Sequence, residues 1–188
     1  TNVRKEQGYT ILPVVPGNYG LDFLKKEYNF DIDIAVECSN FAYDSIQIAC
    51  ESGFKKYFFT GHLGKLVKIA GGAKNTHSKF GDNRMAVLCK IAKEFCAKEK
   101  YCKLEAELNS CVSTEEAVDV LEEFDLKGCV LKKVAELVKM NMTCWGKDIQ
   151  VEVLVFTKKH GLLAFTQNAK SFIEELKENV SDLKGVRS

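Results

Sequence analysis

Residues 57–72 read YFFTGHLGKLVKIAGG, and their pattern sets the fold. YFFT is a short, wholly apolar run, suited to a strand buried on both faces. Gly61-His62-Leu63-Gly64 then turns the chain, and an amphipathic helix runs on through Ala70. The same unit occurs twice upstream. Residues 10–15 (TILPVV) form a strand, PGNYG at 16–20 a turn, and 21–28 a helix. Residues 32–37 form the second strand, and Ser39 caps a helix whose apolar face is Phe41, Ser45, Ile48 and Ala49. Gly53 ends that helix with a left-handed residue.

Apolar strands separated by single helices predict an α/β fold: a mainly parallel sheet with helices on both faces. Right-handed crossovers place the three strand-to-helix loops along one carboxyl edge, where open α/β sheets bind ligands. Gly17–Gly20, Ser39–Asn40 and Gly61–Lys65 are thereby expected side by side. Downstream, Met85, Leu88, Ile91, Ala92 and Phe95 mark a helical face, Ser113-Thr-Glu-Glu116 a capping box, and Leu126, Val130, Val134, Leu137 and Val138 another helix. A late strand returns at 151–156 (VEVLVF), a short one is expected at 161–165, and a C-terminal helix at 171–183. The whole of 1–188 is read as a single α/β domain.

Composition narrows the function classes. Basic side chains number 27 against 26 acidic ones, a formal net charge of +1, which disfavours a nucleic-acid partner. No apolar run approaches the roughly 20 residues that cross a bilayer, and the N-terminus TNVRKEQGYT lacks an apolar signal core. The expectation is a cytoplasmic protein without a membrane partner. Eight cysteines occur without a Cys-x-x-Cys pair. Cys50, Cys89, Cys96 and Cys129 fall in apolar helical segments, as reduced structural thiols do.

The chemistry concentrates in 61–84, GHLGKLVKIAGGAKNTHSKFGDNR. Lys65, Lys68, Lys74, Lys79 and Arg84 face a single carboxylate, Asp82, so a balanced chain carries a local positive cluster suited to an anion. Leu66 stands where a nucleotide-binding P-loop needs a hydroxyl, and no Gly-x-Gly-x-x-Gly follows a strand. His62 and His77, with Asp82 or Cys38 as a third ligand, have no diagnostic metal spacing, so no protein-bound metal is assigned. His160 lies outside this region and is expected at the surface.

PGNYG (16–20), SNF-x-x-D (39–44), GFKK (53–56), GHLGKLVKIAGG (61–72) and NTHSKFGDNR (75–84) resemble, in order and spacing, the signature blocks of the cobalt-precorrin-5B C1-methyltransferase family (CbiD). STEEA (113–117) and VEVLVF resemble its C-terminal half. The resemblance implies methyl transfer from S-adenosylmethionine to ring carbon C1 of a cobalt-containing tetrapyrrole, with cobalt only in the substrate. It also implies a further, N-terminal domain as a partner in the same enzyme. A polycarboxylate acceptor would be bound through Lys65, Lys68, Lys79 and Arg84, together with Asn75, Thr76, Ser78 and Asp82. His77 or His62 would handle a proton, although a histidine beside a tight turn can instead bond the backbone. Gly17, Asn18, Gly20, Ser39, Asn40 and Gly61 are the candidates for S-adenosylmethionine. The rival reading is a non-catalytic module that binds an anionic tetrapyrrole or nucleotide. Oligomeric state is not legible.

Overall fold

The computed structural model describes residues 1–185. Its sheet contains β1 (Ile11–Val15), β2 (Val36–Glu37), β3 (Lys56–His62), β4 (Gln150–Thr157) and β5 (Gly161–Phe165). Their order in space is β2-β1-β3-β4-β5. The first four strands run parallel and β5 returns antiparallel to β4. This is the expected α/β class.

Alternating side chains on the strands serve two cores. A short helix, α1 (Asn2–Glu6), precedes β1; Ile11, Val15, Phe58, Leu154 and Phe156 pack with α2 (Asn18–Tyr28) and α9 (Ala169–Gly185). Leu12, Val14, Tyr57, Phe59, Val151, Val153 and Val155 pack on the opposite face. That face carries α3 (Ala42–Glu51), α4 (Leu63–Ala70), α5 (Arg84–Ala92), α6 (Lys98–Ser110), α7 (Thr114–Glu123) and α8 (Lys127–Gly146). The chain steps from β1 out to β2, then back past β1 to β3. Right-handed crossovers require the two linking helices on opposite faces, and α2 and α3 lie so. The reversal leaves a crevice beyond the carboxyl ends of β1 and β3, the place where such sheets hold ligands.

Several boundaries differ from the sequence expectation, each for a local reason. Helix α2 starts at Asn18 rather than at residue 21, because Gly17 takes φ +138° and turns the chain straight into it. The second strand keeps only Val36–Glu37. The backbone N–H of Asp33 donates to Asp31 Oδ1 (3.2 Å), and this side-chain turn draws Ile32–Ile34 into a 3-10 helix. Ser39 does not cap α3: it sits at φ +53° in a turn closed by Phe41 N–H on Cys38 O (2.9 Å). The buried face of α3 is Ala42, Ile46 and Ala49, whereas Phe41 and Ile48 are 54% and 47% exposed.

The capping box at 113–116 forms in a variant way. Ser113 Oγ accepts from Glu116 N–H (3.2 Å), and the Glu116 carboxylate accepts from Val112 N–H (2.9 Å) instead of that of Ser113. Helix α6 had no clear sequence signal, since it buries only Leu104 and Leu108 on an otherwise charged segment. Phe95 and Cys96 fall beyond the end of α5. All eight cysteines are free. His160 is not a surface residue: its side chain is 11% exposed, with Nε2 3.3 Å from Asp119 Oδ1.

Gly20 shows why α2 can lie so close to the sheet. A Cβ added there would stand 2.8 Å from Val15 Cβ and 3.1 Å from the Thr60 carbonyl oxygen, neither of which can swing away. At Gly128 in α8 an added Cβ meets nothing within 4 Å. Gly20→Ala should therefore destabilise the chain by about 1–3 kcal/mol, while Gly128→Ala should be neutral or stabilising by up to ~1 kcal/mol. Thermal unfolding of the two variants tests this, and equal midpoints would contradict the packing argument.

Candidate ligand-binding site

A cavity of about 700 Å³ opens at the crevice. The loop after β1 supplies Pro16, Gly17, Asn18, Tyr19 and Gly20; the end of β2 supplies Glu37 and Ser39; β3 and α4 supply His62, Gly64, Lys65 and Lys68. Thr76, Ser78, Asp82 and Arg84 close it from the long loop beyond α4. The three strand-to-helix loops thus converge as topology requires.

The lysines are tied into the structure rather than splayed in solvent. Lys65 Nζ donates to the carbonyl oxygens of Pro16 and, at 3.1 Å, Ser39. One side chain from α4 thereby joins the loops after β1 and β2. Burial draws its pKa below the ordinary lysine value. Lys68 is 8% exposed and donates to the carbonyl oxygens of Thr76 (3.4 Å) and Gly81 (3.2 Å), holding the long loop over α4. An ammonium has three donors, so each keeps one N–H beyond these bonds.

Arg84 is committed in a different way. Its Nε donates to Asp82 Oδ1 at 2.7 Å and its Nη2 to Asp82 Oδ2. The hydrogen bond from Arg84 holds the Asp82 carboxyl down to about 2. The forked face expected to grip a ligand carboxylate is thus filled by a neighbour within the chain. Nη1 points toward Gly64, 3.7 Å from where a Cβ would sit there.

His62 is the N-cap of α4. Its Nδ1 accepts the Gly64 N–H at 3.2 Å, so the ring proton of the neutral form resides on Nε2. Nε2 lies 3.6 Å from Glu115 Oε1 at the start of α7, an ion-pair distance too long for a hydrogen bond. Glu115 Oε1 also accepts from Lys158 N–H (3.1 Å) and Lys159 N–H (3.3 Å) in the β4–β5 turn. Burial pulls the His62 pKa below 6.5 despite the upward pull of Glu115. Beside His62, whose ring centroid lies 6.4 Å from that of Tyr19, Lys158 Nζ stands 3.4 Å from the Tyr19 ring centroid.

Five of the sequence-chosen residues do not line the cavity. His77 is exposed and caps a short 3-10 turn, its Nδ1 accepting from Lys79 N–H (3.1 Å). Lys79 packs over Phe80 (5.0 Å). Asn75 Oδ1 accepts from His77 N–H (2.9 Å) and Asn40 Oδ1 accepts from Thr76 Oγ1 (3.1 Å), so both brace loops. Gly61 is a packing glycine: a Cβ there would lie 2.9 Å from Leu66 Cδ2. Cys38 is buried, and burial pushes its thiol up to about 11, which keeps it protonated near neutrality and a poor ligand or nucleophile. Among the described residues, no group of three or more His, Cys, Asp or Glu side chains gathers as a metal would need. No helix among them is long and apolar enough to cross a membrane.

Three contributors were not singled out from sequence. Glu37 ends β2 and could have been found from its spacing to Gly17. Tyr19 sits in the quoted PGNYG block. Glu115 carried no signal, because STEEA reads first as a helix cap.

An open, mainly parallel sheet with a cation-lined cavity at its strand-order reversal defines the class: an α/β domain with helices on both faces of the sheet. The family profile described as "CbiD, C-terminal domain" matches residues 75–167. The chain is 34% identical over 175 residues to the cobalt-precorrin-5B C(1)-methyltransferase of Clostridioides difficile (strain 630), covering 92% of this chain and 42% of that protein. It is 34% identical over 157 residues to the protein of the same name from Ruminiclostridium cellulolyticum, covering 83% and 40%. For the one from Methanococcus vannielii the figures are 35% over 133 residues, 71% and 35%. No solved structure gives a significant match. The chain belongs to the CbiD family and contains its C-terminal domain. It spans about two fifths of the length of the first two of these curated relatives.

The His62 geometry fixes a sign for pH dependence. The folded state holds the ring neutral below 6.5, while an unfolded chain takes up a proton at about 6.5. Stability from this group is present above that value and is lost as pH falls through the folded pKa. Side-chain NMR should show the Nε2–H tautomer and a His62 midpoint below 6.5. A midpoint at or above 6.5, or an Nδ1–H tautomer, would contradict the capping role.

Proposed function

We propose that this chain binds S-adenosylmethionine and a cobalt-containing tetrapyrrole in the crevice cavity, as part of an enzyme that methylates cobalt-precorrin-5B at C1 in anaerobic cobalamin biosynthesis. The observation that carries the reading is the convergence of the three strand-to-helix loops with Lys65, Lys68 and Arg84 on one cavity. The names of the relatives support it. The donor supplies an already activated methyl group. The chain's own residues therefore have to bind, orient and exclude water.

The residues fit that task. The spare N–H of Lys65, that of Lys68 and Nη1 of Arg84 offer separate points for carboxylates spread around a macrocycle rim. Because Asp82 already neutralises part of Arg84, the lysines carry most of the attraction. His62, capped onto Gly64 and facing Glu115, serves as a rigid wall rather than as a base, since its free lone pair is used. His77 and Lys79 lie outside the cavity lining and have no part in this reading. A cytoplasmic location fits a biosynthetic enzyme of this kind. The acceptor and a preceding domain of the longer relatives are its partners.

Calorimetry of the chain with S-adenosylhomocysteine, S-adenosylmethionine and ATP tests the donor half. Binding of only the adenosyl sulfur compounds is expected, and binding of ATP alone would replace this reading by a nucleotide-binding one. For the acceptor half, cobyrinic acid serves as a corrin polycarboxylate probe. Lys65→Met should weaken its binding tenfold or more, the scale of one charge-assisted hydrogen bond, and flatten the salt dependence. Lys79→Met should leave both within twofold. Equal effects of the two substitutions would reject the cavity as the anion site.

A further inference from the structure

We infer that Glu37 binds the ribose hydroxyls of the nucleoside portion of the methyl donor, so that the β1–β2 half of the cavity is the donor side. The inference rests on the reading of the cavity proposed above and assigns a residue to one part of it.

Glu37 is anomalous in its surroundings. A cavity that gathers Lys65, Lys68 and Arg84 gains nothing for anion binding from an added carboxylate. The other one, Asp82, is accounted for by its fork on Arg84. Glu37 lines the same cavity, and among the described residues its carboxylate makes no hydrogen bond or ion pair. Lys65, which reaches Ser39 two residues on, spends its bonds on the carbonyls of Pro16 and Ser39 instead. An ionised carboxylate only accepts hydrogen bonds, so its ligand must present donors without bringing negative charge. A vicinal diol does both.

Its place in the fold points to the same group. Glu37 ends β2 and is registered opposite Val15, the last residue of β1. It therefore stands beside the loop that begins Pro16-Gly17, twenty positions after Gly17 in sequence. In open α/β sheets that bind nucleotides, the carboxylate reaching the ribose comes from this spot, at about this separation from the first glycine-bearing loop. Gly17, at φ +138° and without a Cβ, leaves the space above that loop open as far as Lys65 Nζ, 3.8 Å from the missing side chain. With the nucleoside beside Glu37, the spare N–H groups of Lys65 and Lys68 and Nη1 of Arg84 remain for the carboxylates of the acceptor. The sulfonium would then lie between the two halves.

Calorimetry on the whole chain decides the matter, using S-adenosylhomocysteine and its 2′,3′-dideoxyribose analogue against wild type and Glu37→Gln, an exposed and nearly isosteric change. Glu37→Gln should weaken S-adenosylhomocysteine tenfold or more, the analogue should bind wild type comparably weakly, and the substitution should weaken the analogue less than twofold further. Unchanged affinity for S-adenosylhomocysteine, or an equal loss for both ligands, would overturn the assignment while leaving the donor reading intact. Failure of wild type to bind S-adenosylhomocysteine would instead remove the donor reading itself, and this inference with it. Thermal unfolding of Glu37→Gln at the wild-type midpoint ties any loss to the site.

Discussion

The ammonium of Lys65 is the fastening on which the cavity depends. It comes from the first turns of α4, reaches across the crevice, and donates to the carbonyls of Pro16 and Ser39. Backbone carbonyls in loops between elements often bond to water, and such loops move. Here two of them are held by one partly desolvated cation, which has to be satisfied because an unpaired charge is costly to bury. Lys68 repeats the arrangement one helical turn later for Thr76 and Gly81. Two lysines from one helix thus fix three loops that the sheet topology only brings near.

This arrangement alters how the positive cluster should be understood. Five cations around one carboxylate in 61–84 suggest a surface waiting for an anion. In the folded chain Lys65 and Lys68 are structural and cavity-lining at once, Arg84 is half-neutralised by Asp82, and Lys79 lies over Phe80 outside the lining. The field offered to a ligand comes from fewer and better-positioned donors than the sequence count implies. Pre-organised donors lose little entropy on binding, which suits a rigid macrocycle.

The large elements were legible because their signals are strong: three apolar strands, helices of regular period between them, and a capping box at 113–116. The cavity's location followed from topology alone. What could not be read were features set by side chains meeting across the fold. Nothing in Ser39 announces φ +53°, since that turn is held from α4 by Lys65. The second strand shrank because an aspartate side chain competed with the sheet for the backbone at 31–33. Helix α6 was hidden by its charge, with Leu104 and Leu108 its only fully buried side chains. His77 looked like chemistry because it lies among functional groups, yet it bonds its own loop. Glu37 looked like an ordinary strand end, and its interest arises only beside the Gly17 loop. His160 was assigned to the surface because nothing local reveals that α7 covers it through Asp119.

The β4–β5 turn bears on how the molecule assembles. Its backbone amides at Lys158 and Lys159 meet the carboxylate of Glu115, which faces His62, and Lys158 covers the ring of Tyr19. The side of the crevice that carries Tyr19 and His62 is therefore braced by a hairpin almost a hundred positions further along the chain than His62. Closing so long a stretch of polypeptide is slow compared with forming the helices between. The residues that brace Tyr19 and His62 thus come late in the chain, and that side of the crevice takes its final form only once the β4–β5 hairpin has docked.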